Sequence, residues 1–408
     1  MRRATSFRFL WFGQIVANLA DVLYVVVLIA MVYQATGSTM LTALIPMVTM
    51  GAQLIGGLVA PLVLDRFRLS RLLVSTQVGK ALLFALLTLF LDRLLSGGWL
   101  PLLYVLMALF SILDAAANPA RNAIVPRLVD KAELVKVNGW LASTDQTVNL
   151  AGWALGGVVF VALGGTESMW VCFVLHAVAA LLMFGVREPV RTAEASEEHV
   201  VKSSGISSMK EGWVVLWRTP LLRTILIMDV IEVMSGGVWV GAVMMVFVQE
   251  ALGEGEQWFG FLNAGYMGGM LLGGLLVSLW AKQVERKFAP LLVLSSAVFA
   301  ALNLLFAYTS IAWLAVLLCL LMGPPNQMKE VIQQTLIQRT VEERLLPKVF
   351  SAKMTVFYTG YTLSVLVMSL LTDWIGVRSV YALAGAIVAL VPLLAWSRWK
   401  VLRQASVV

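Results

Sequence analysis

The chain has few charged residues and only two cysteines, and both shortages exclude classes of protein. Charged residues make up 13% of its 408 positions, whereas a soluble domain usually carries about a quarter. The mean hydropathy is +0.87, so much of the apolar surface must face lipid rather than water. The cysteines, Cys172 and Cys319, lie in apolar runs and fit no ligand or disulfide pattern, so we interpret them as small buried residues.

Several catalytic motifs are also missing. The sequence has no G-x-x-x-x-G-K phosphate loop, so we expect no ATPase of the P-loop type. It has no H-E-x-x-H and no G-x-S-x-G, and Ser207-x-x-Lys210 lies in a polar stretch where we do not expect a nucleophile. We therefore expect no enzymatic activity, no cofactor and no metal site.

Long apolar runs dominate what is present. Each run is close to the roughly 20 residues that an α-helix needs to cross about 30 Å of hydrocarbon, and none alternates as a barrel strand does. The sequence predicts an all-α polytopic membrane protein with twelve transmembrane helices in two parallel six-helix repeats. The predicted spans are 9–33, 40–64, 72–91, 99–120, 140–163, 168–186, 221–249, 257–281, 288–308, 311–328, 349–371 and 377–397.

Basic residues separate by side. Of the 30 lysines and arginines, 28 are assigned to alternate loops and to the termini, a count that includes Lys80 and Lys329. Arg93 and Arg378 are the two left on the opposite side. Because basic loops stay in the cytoplasm, both termini are predicted to be cytoplasmic, in a bacterial inner membrane. The net charge of +7 is thus explained by membrane topology, and no nucleic-acid partner is expected.

An internal repeat divides the chain. Residues 56–59 match residues 273–276 at an offset of 217, and residues 126–130 match residues 338–342 at an offset of 212. We predict an N-terminal bundle over 1–186, a cytoplasmic linker over 187–220 with a short surface helix or disorder, and a C-terminal bundle over 221–408. Two such repeats can rock about a shared site, which gives alternating access.

Three predicted spans carry polar stripes at helical spacing. A carboxylate near the bilayer centre costs about 2.5–3.5 kcal/mol on insertion scales, so such residues usually face a cavity or a partner. We expect the stripes to converge on one central cavity. The stripes consist of Gln14, Asn18 and Asp21 in span 1, Ser111, Asp114 and Asn118 in span 4, and Asp229, Glu232 and Gly236 in span 7.

The acids of these stripes allow two interpretations. Asp229 and Glu232 lie one helical turn apart, and in a low dielectric such a pair should hold a proton. At least one of Asp21, Asp229 and Glu232 would then couple to protons or bind a cation. Alternatively, the acids are structural and pair with Arg223, Lys329 or a backbone group.

Small residues and one histidine are further candidates. His176, in span 6, is either a hydrogen-bonding partner of another helix or part of a proton relay. Regularly spaced glycines let helices approach closely, for static packing or for sliding. These candidate sliding glycines are Gly152 and Gly156 in span 5 and Gly265, Gly269 and Gly273 in span 8.

One loop motif carries a family resemblance. Gly57, Asp65, Arg66 and Arg71 resemble the loop motif G-x-x-x-D-R-x-G-R-R/K of the major facilitator superfamily. The resemblance extends over nearly the whole chain and implies a cytoplasmic gate formed by this acid and these bases, to which we add Arg121.

Two further stretches point to one branch of that family. The run Asn118-Pro119-Ala120-Arg121, with the residues that follow to Asn138, is similar to macrolide-efflux proteins and the enterobactin exporter. Residues 152–157 resemble the G-P-x-x-G-G motif of the family's antiporters, with Trp153 at the proline position. The branch implies proton-driven export of amphiphilic, drug-like or siderophore-like compounds. We expect the chain to act as a monomer. Import of a small metabolite and a non-transporting role such as lipid scrambling are the alternatives.

Overall fold

The protein is α-helical throughout the residues that the structure, a computed structural model, describes: 2–96, 98–188, 205–239 and 241–405. The α-helices are α1 Arg2–Thr36, α2 Thr39–Leu64, α3 Leu69–Leu89, α4 Leu91–Leu95, α5 Leu100–Leu128, α6 Leu134–Leu163, α7 Gly165–Met183, α8 Gly205–Arg218, α9 Pro220–Ser235, α10 Gly241–Val246, α11 Gln257–Leu279, α12 Ala281–Arg286, α13 Phe288–Tyr308, α14 Ala312–Thr340, α15 Leu346–Ile375, α16 Val377–Val388, α17 Leu390–Ser397 and α18 Trp399–Ala405.

The long helices overlap all twelve predicted spans. Among the described residues, 10 helices are long and apolar enough to cross a membrane, or 11 if the bent pair formed by α9 and α10 is one span. The remaining predicted span, 311–328, overlaps α14. This helix is less apolar because Asn326, Gln327 and Lys329 lie in its second half. The predicted all-α membrane fold is therefore confirmed.

Two helices continue past the predicted ends of their spans. Helix α5 runs to Leu128 with Pro119 and Pro126 inside it, and α14 runs to Thr340 with two prolines inside it. Prolines are tolerated in spanning helices because neighbouring groups satisfy the freed carbonyls. Arg121 and Lys329, predicted to lie just beyond spans 4 and 10, lie within these helices.

The seventh span is broken. Helix α9 continues into a 3₁₀ turn, Gly236–Trp239, and residues 220–239 are bent by 53° against residues 241–251. Ser364 of α15 bridges the junction between α9 and the 3₁₀ turn, because its Oγ donates to the Met234 carbonyl at 2.7 Å and accepts from the Gly237 N–H at 2.9 Å. The end of an α-helix leaves backbone groups without partners inside the helix, and this serine binds two such groups.

The repeat is visible in the local structure. Gly164 precedes α7 with φ of 89°, and Gly376 precedes α16 with φ of 80°. The two glycines are separated by the same 212 positions that relate the matching loops. A left-handed backbone at these turns favours glycine because it has no Cβ. Both repeats thus enter their last span through the same kind of turn.

The described chain forms two compact units. The first contains Met1–Asp130, Ala151–Val214 and Glu343–Thr355, and the second contains Lys131–Leu150, Val215–Glu342 and Val356–Val408. The start of α6 therefore belongs to the second unit, and the start of α15 belongs to the first. The predicted bundle boundaries at 186 and 221 remain predictions. Within the predicted linker, α8 is the expected short helix, whereas residues 189–204, with Glu194, Glu197, Glu198 and His199, lie outside the described residues.

Each unit has an aromatic centre. In the first, Tyr24, Phe84 and Phe110 meet edge to face, with ring centroids 4.8–5.1 Å apart. In the second, Phe247 and Phe306 stack at 4.8 Å, and the Tyr381 hydroxyl donates to the Val238 carbonyl at 2.6 Å. Edge-to-face contacts suit the ring quadrupole. In the first unit these rings wall the polar cluster described next.

Candidate functional site

A buried lysine joins two carboxylates in the first unit. The Nζ atom of Lys80, on α3, lies 3.0 Å from Oδ2 and 3.1 Å from Oδ1 of Asp21, on α1. The same atom lies 2.7 Å from Oδ1 of Asp114, on α5. The lysine side chain is 0% exposed, whereas the side chains of Asp21 and Asp114 are 22% and 23% exposed. One cation is therefore shared by two anions that retain access.

Aromatic rings and a histidine complete this cluster. The Lys80 ammonium lies 4.6 Å from the centroid of Phe110, close enough for a cation–π interaction. His176, on α7, is 0% exposed and stacks on Phe84 at 4.7 Å. Its Nε2 lies 3.5 Å from Oδ1 of Asp21. This neighbour is a carboxylate of the polar stripe, so the relay interpretation of His176 stays open beside the packing interpretation.

The predicted stripes of spans 1 and 4 meet at this cluster. Gln14 donates to Asn18 at 2.6 Å along α1. On α5, Asn118 donates to Oδ2 of Asp114 at 3.3 Å, the oxygen that does not bind the lysine. Both Asp114 oxygens thus have a donor, and the stripes are linked through Lys80.

The topological assignment of Lys80 was wrong. It was counted among the residues of a basic loop, but it lies in the middle of α3 and is fully buried. The sequence contained a signal, because position 80 falls inside the predicted span 72–91. An ionisable residue within a span is costly and usually faces a partner, so it deserved the same interpretation as the acids.

The second unit has its own buried pair. Glu232, on α9, forms an ion pair with Lys329, on α14, whose side chain is 1% exposed. Lys329 also donates to Oδ1 of Asn326 at 2.7 Å. The amide of Asn326 is within hydrogen-bond distance of the Tyr266 hydroxyl, at 3.0 Å, and donates to Oε1 of Glu330 at 3.1 Å.

This pair bears on the two interpretations of the acids. Pairing of an acid with Lys329 was one of the alternatives, and Glu232 makes that contact. Asp229 lies one turn earlier on the same helix and is partly buried. The ion pair of Glu232 and Lys329 thus has two further carboxylates beside it along the chain, Asp229 one turn before Glu232 on α9 and Glu330 next to Lys329 on α14. Convergence of this group with Asp21 and Asp114 on one cavity remains a prediction.

The candidate glycines lie at close helix contacts. A Cβ at Gly152 or Gly156 of α6 would come within 2.7 Å of Val22 or 2.9 Å of Val26 on α1. On α11, a Cβ at Gly265 would lie 3.0 Å from the Val316 carbonyl oxygen, and one at Gly273 would lie 2.7 Å from Cα of Pro324. A Cβ at Gly269 would meet the Leu320 carbonyl. These contacts show tight packing, and sliding remains a prediction.

Asp65 of the predicted gate binds a buried lysine. Asp65, at the end of α2, lies 2.7 Å from Nζ of Lys348 on α15, and the same ammonium lies 2.6 Å from Glu211 on α8. Lys348 is 2% exposed. Arg66 and Arg71 are exposed, and Arg121 is partly buried. The sequence indicated Asp65 but not its lysine, which is 283 residues away along the chain.

The matching loops of the two repeats make matching contacts. Nη2 of Arg127 donates to the Glu343 carbonyl at 3.0 Å, and Nη2 of Arg339 donates to the Lys131 carbonyl at 2.8 Å. The arginines are 212 positions apart, as are the two carbonyls. Arg127 also lies 3.7 Å from Glu188, and Arg339 pairs with Glu285. Each arginine thus binds the turn that follows the matching loop of the other repeat. The two residues of each such bond lie in the same unit.

Replacing Lys348 by methionine should loosen the start of α15 from α2. Ser351 of α15 donates to the Gly57 carbonyl at 2.5 Å and is fully buried. In a Ser351→Cys background, we expect the rate of maleimide labelling to rise about tenfold. This rise corresponds to a loss of about 1.4 kcal/mol in the free energy that keeps the contact between α15 and α2 closed. The labelling rate in purified protein measures this, since Cys172 and Cys319 are buried. Arg68→Met, at an exposed base of the same loop that is not part of the predicted gate, is the matched control, and equal rates for both variants would contradict a closing role of Lys348.

A family model described as Major Facilitator Superfamily matches residues 10–328. The MFS-type transporter YfmI of Bacillus subtilis is 29% identical over 396 residues, which cover 97% of both chains. Macrolide efflux protein A of Streptococcus pyogenes is 21% identical and covers 94% of this chain and 93% of its own. A crystal structure of FucP in the outward conformation superposes with a TM-score of 0.79 at 14% identity, over 98% of this chain and 99% of that one.

Proposed function

The chain belongs to the major facilitator superfamily of membrane transporters, and we propose that it exports amphiphilic small molecules in exchange for protons. The similarity to a macrolide efflux protein over 94% of this chain supports export. The observation that carries the coupling is the sharing of Lys80 between Asp21 and Asp114. The chain is thus a transporter rather than an enzyme.

The charge of this cluster favours a bound proton. With both carboxylates ionised and the lysine protonated, the group carries one uncompensated negative charge. An uncompensated buried charge is strongly unfavourable, so the group gains stability by taking up one proton or one cationic group of a substrate. The two aspartate side chains are about one fifth exposed, whereas the lysine side chain is not exposed. Exchange therefore occurs on the acidic side of the cluster.

Competition between proton and substrate gives the exchange. A substrate ammonium placed against Asp21 or Asp114 replaces the proton as the compensating charge, and reloading with a proton releases the substrate. A proton moving down about 100 mV supplies about 2.3 kcal/mol, which supports a gradient of roughly 50-fold. Glu232, Asp229 and Glu330, with Lys329, form a second acidic group that serves the same purpose in the other unit.

Substrate selectivity is expected to be loose. Methionine side chains are flexible and polarisable, so they adapt to apolar ligands of different shape. The chain has 19 methionines. Several lie in or beside the helices of the second unit that carry polar groups, including Met228, Met234, Met244 and Met270. We therefore expect cationic or neutral amphiphiles rather than a single sugar-like substrate.

The proposed orientation follows the basic loops. Both termini and the contacts of Asp65, Arg66, Arg71 and Arg121 would lie on the cytoplasmic side of a bacterial inner membrane. Breaking the Asp65–Lys348 pair would then accompany opening to the cytoplasm. Two six-helix bundles, 1–186 and 221–408, would rock during this step.

Asp21→Asn and Asp114→Asn should each remove the dependence of transport on a pH gradient. Each substitution removes the uncompensated charge that binds the proton, while an amide of the same size preserves packing. The measurement is efflux of a fluorescent cationic dye from proteoliposomes with and without an imposed pH gradient. Asp92→Asn, an exposed acid at the end of the third span, is the control and should behave as wild type.

The outcomes separate the alternatives. Unchanged gradient dependence in both aspartate variants contradicts proton coupling at this cluster. Uptake of solute driven by the same gradient would indicate an importer, which was the alternative from the sequence. Gradient-independent dye movement in wild type would contradict coupled transport altogether.

A further inference from the structure

Helix α8 is not a spanning helix. It comprises the 14 residues Gly205–Arg218, too few to cross a bilayer, which needs about 20. Thr219 then adopts an extended conformation, with φ of −83° and ψ of 115°, and Pro220 starts α9. Because α9 belongs to a spanning pair, the end of α8 lies where the chain enters the membrane.

One face of α8 is buried and contacts the start of α15. Gly212 packs closely against α15, since a Cβ there would meet the Lys348 carbonyl. Glu211 binds the ammonium of the same lysine at 2.6 Å. Leu216, one turn further, is 2% exposed. Burial of this face fixes which side chains of α8 point outward.

The outward face combines indoles with basic groups. Trp213, Val214 and Trp217 are 38%, 44% and 60% exposed, and Lys210 and Arg218 are exposed beside them. The i, i+3, i+4, i+7 spacing of a single helix face relates Lys210, Trp213, Val214 and Trp217. Exposed indoles beside basic groups are typical of helices that lie in the membrane interface.

We propose that α8 binds the bilayer surface through this face and selects anionic phospholipids. The indoles of Trp213 and Trp217 would enter the headgroup region, and Lys210 and Arg218 would pair with lipid phosphates. Charge complementarity and the direct continuation into α9 favour lipid as the occupant, since both place the face at the membrane surface. The binding site is distinct from the acidic clusters and does not depend on which solute is transported.

Lipid binding at this face would also reach the predicted gate. Glu211 projects from the same helix and shares Lys348 with Asp65. A helix held on the membrane keeps Glu211 against the lysine, whereas a released helix removes one of the two anions. Anionic lipid would thereby stabilise the contact between α15 and α2. This second step depends on the gate described above, whereas lipid binding itself does not.

Quenching of tryptophan fluorescence by brominated lipids tests the binding. Full-length protein is reconstituted in bilayers of phosphatidylcholine and phosphatidylglycerol of one composition, in which either the phosphatidylcholine or the phosphatidylglycerol is brominated. The signal of Trp213 and Trp217 is the difference between wild type and a Trp213→Phe/Trp217→Phe variant. We expect bromolipids to quench most of this signal, and brominated phosphatidylglycerol to quench more of it per mole than brominated phosphatidylcholine. Lys210→Gln/Arg218→Gln should lose this excess quenching by brominated phosphatidylglycerol and keep the rest.

Two results of this experiment would contradict the proposal. If aqueous iodide quenches the difference signal and bromolipids do not, the face is in water and the proposal fails. Equal quenching per mole by brominated phosphatidylglycerol and by brominated phosphatidylcholine contradicts the selection of anionic lipid. Fluorescence requires no transport, so failure of the exporter proposal leaves this test intact. Slower maleimide labelling of Ser351→Cys protein with phosphatidylglycerol would support the link to the gate, and unchanged labelling would contradict it.

Discussion

Replacing Lys80 by methionine should destabilise the protein by about 3–5 kcal/mol, the usual result of removing one partner of a buried ion pair. The side chain is 0% exposed and is the cation shared by Asp21 and Asp114. Methionine fills similar space, so the loss reports charge rather than volume. Thermal unfolding of the purified protein in detergent measures the change, and proteoliposomes should show loss of coupled transport.

A second substitution separates charge from packing. In the Lys80→Met background, Asp21→Asn removes one of the two anions left without a cation, so it should restore part of the stability without restoring coupling. Lys282→Met, at an exposed lysine of α12, is the matched control and should unfold as wild type does. If Lys80→Met leaves the unfolding temperature unchanged, Lys80 does not compensate these carboxylates in the protein.

Gly269→Ala should strongly destabilise the second unit. A Cβ at this position meets the Leu320 carbonyl and lies 3.1 Å from Cα of Gly323. These are backbone atoms of α14, so neither can move aside as a flexible side chain does. Overpacking usually costs about 1–3 kcal/mol, and a contact with backbone should reach the upper end. The measurements are the yield of folded protein and its unfolding temperature.

The adjacent Gly268→Ala provides a matched control. Both changes add one methyl to the same helix and gain the same intrinsic helix preference, about 1 kcal/mol for alanine over glycine. A Cβ at Gly268 would meet Cδ1 of Leu320 at 3.8 Å, an ordinary contact. This variant should be as stable as wild type or slightly more so. Equal behaviour of the two variants would show that α11 and α14 are not in backbone contact.

The repeat accounts for part of both polar clusters. Asp114 and Asn118 of α5 correspond, at the offset of 212, to Asn326 and Glu330 of α14. In each pair the asparagine donates to the acid four positions away, although the two residue types have exchanged places. The lysines do not follow the repeat, since Lys80 corresponds to Leu292 and Lys329 to Ala117. Each half thus supplies its cation from a different helix.

Local sequence sufficed for some of these features and failed for others. The loop match between residues 126–130 and 338–342 indicated equivalent segments, and Arg127 and Arg339 make equivalent contacts. The motif around Asp65 indicated an ionic contact without its lysine. Lys80 was assigned to a loop because counting basic residues by side treats every lysine as a topological marker, whereas a lysine inside a span requires a partner.

The sequence by itself determined the spans and the polar faces, because helix length and the 3.6-residue period are local properties of the chain. Tertiary structure alone decided which helices face each other, and hence that Lys80 lies between Asp21 and Asp114 and that Lys348 reaches Asp65. The physical reason is that lipid tails are as apolar as leucine. A helix face that contacts lipid and one that contacts another helix therefore have similar apolar sequences, and only the packing of the helices distinguishes them.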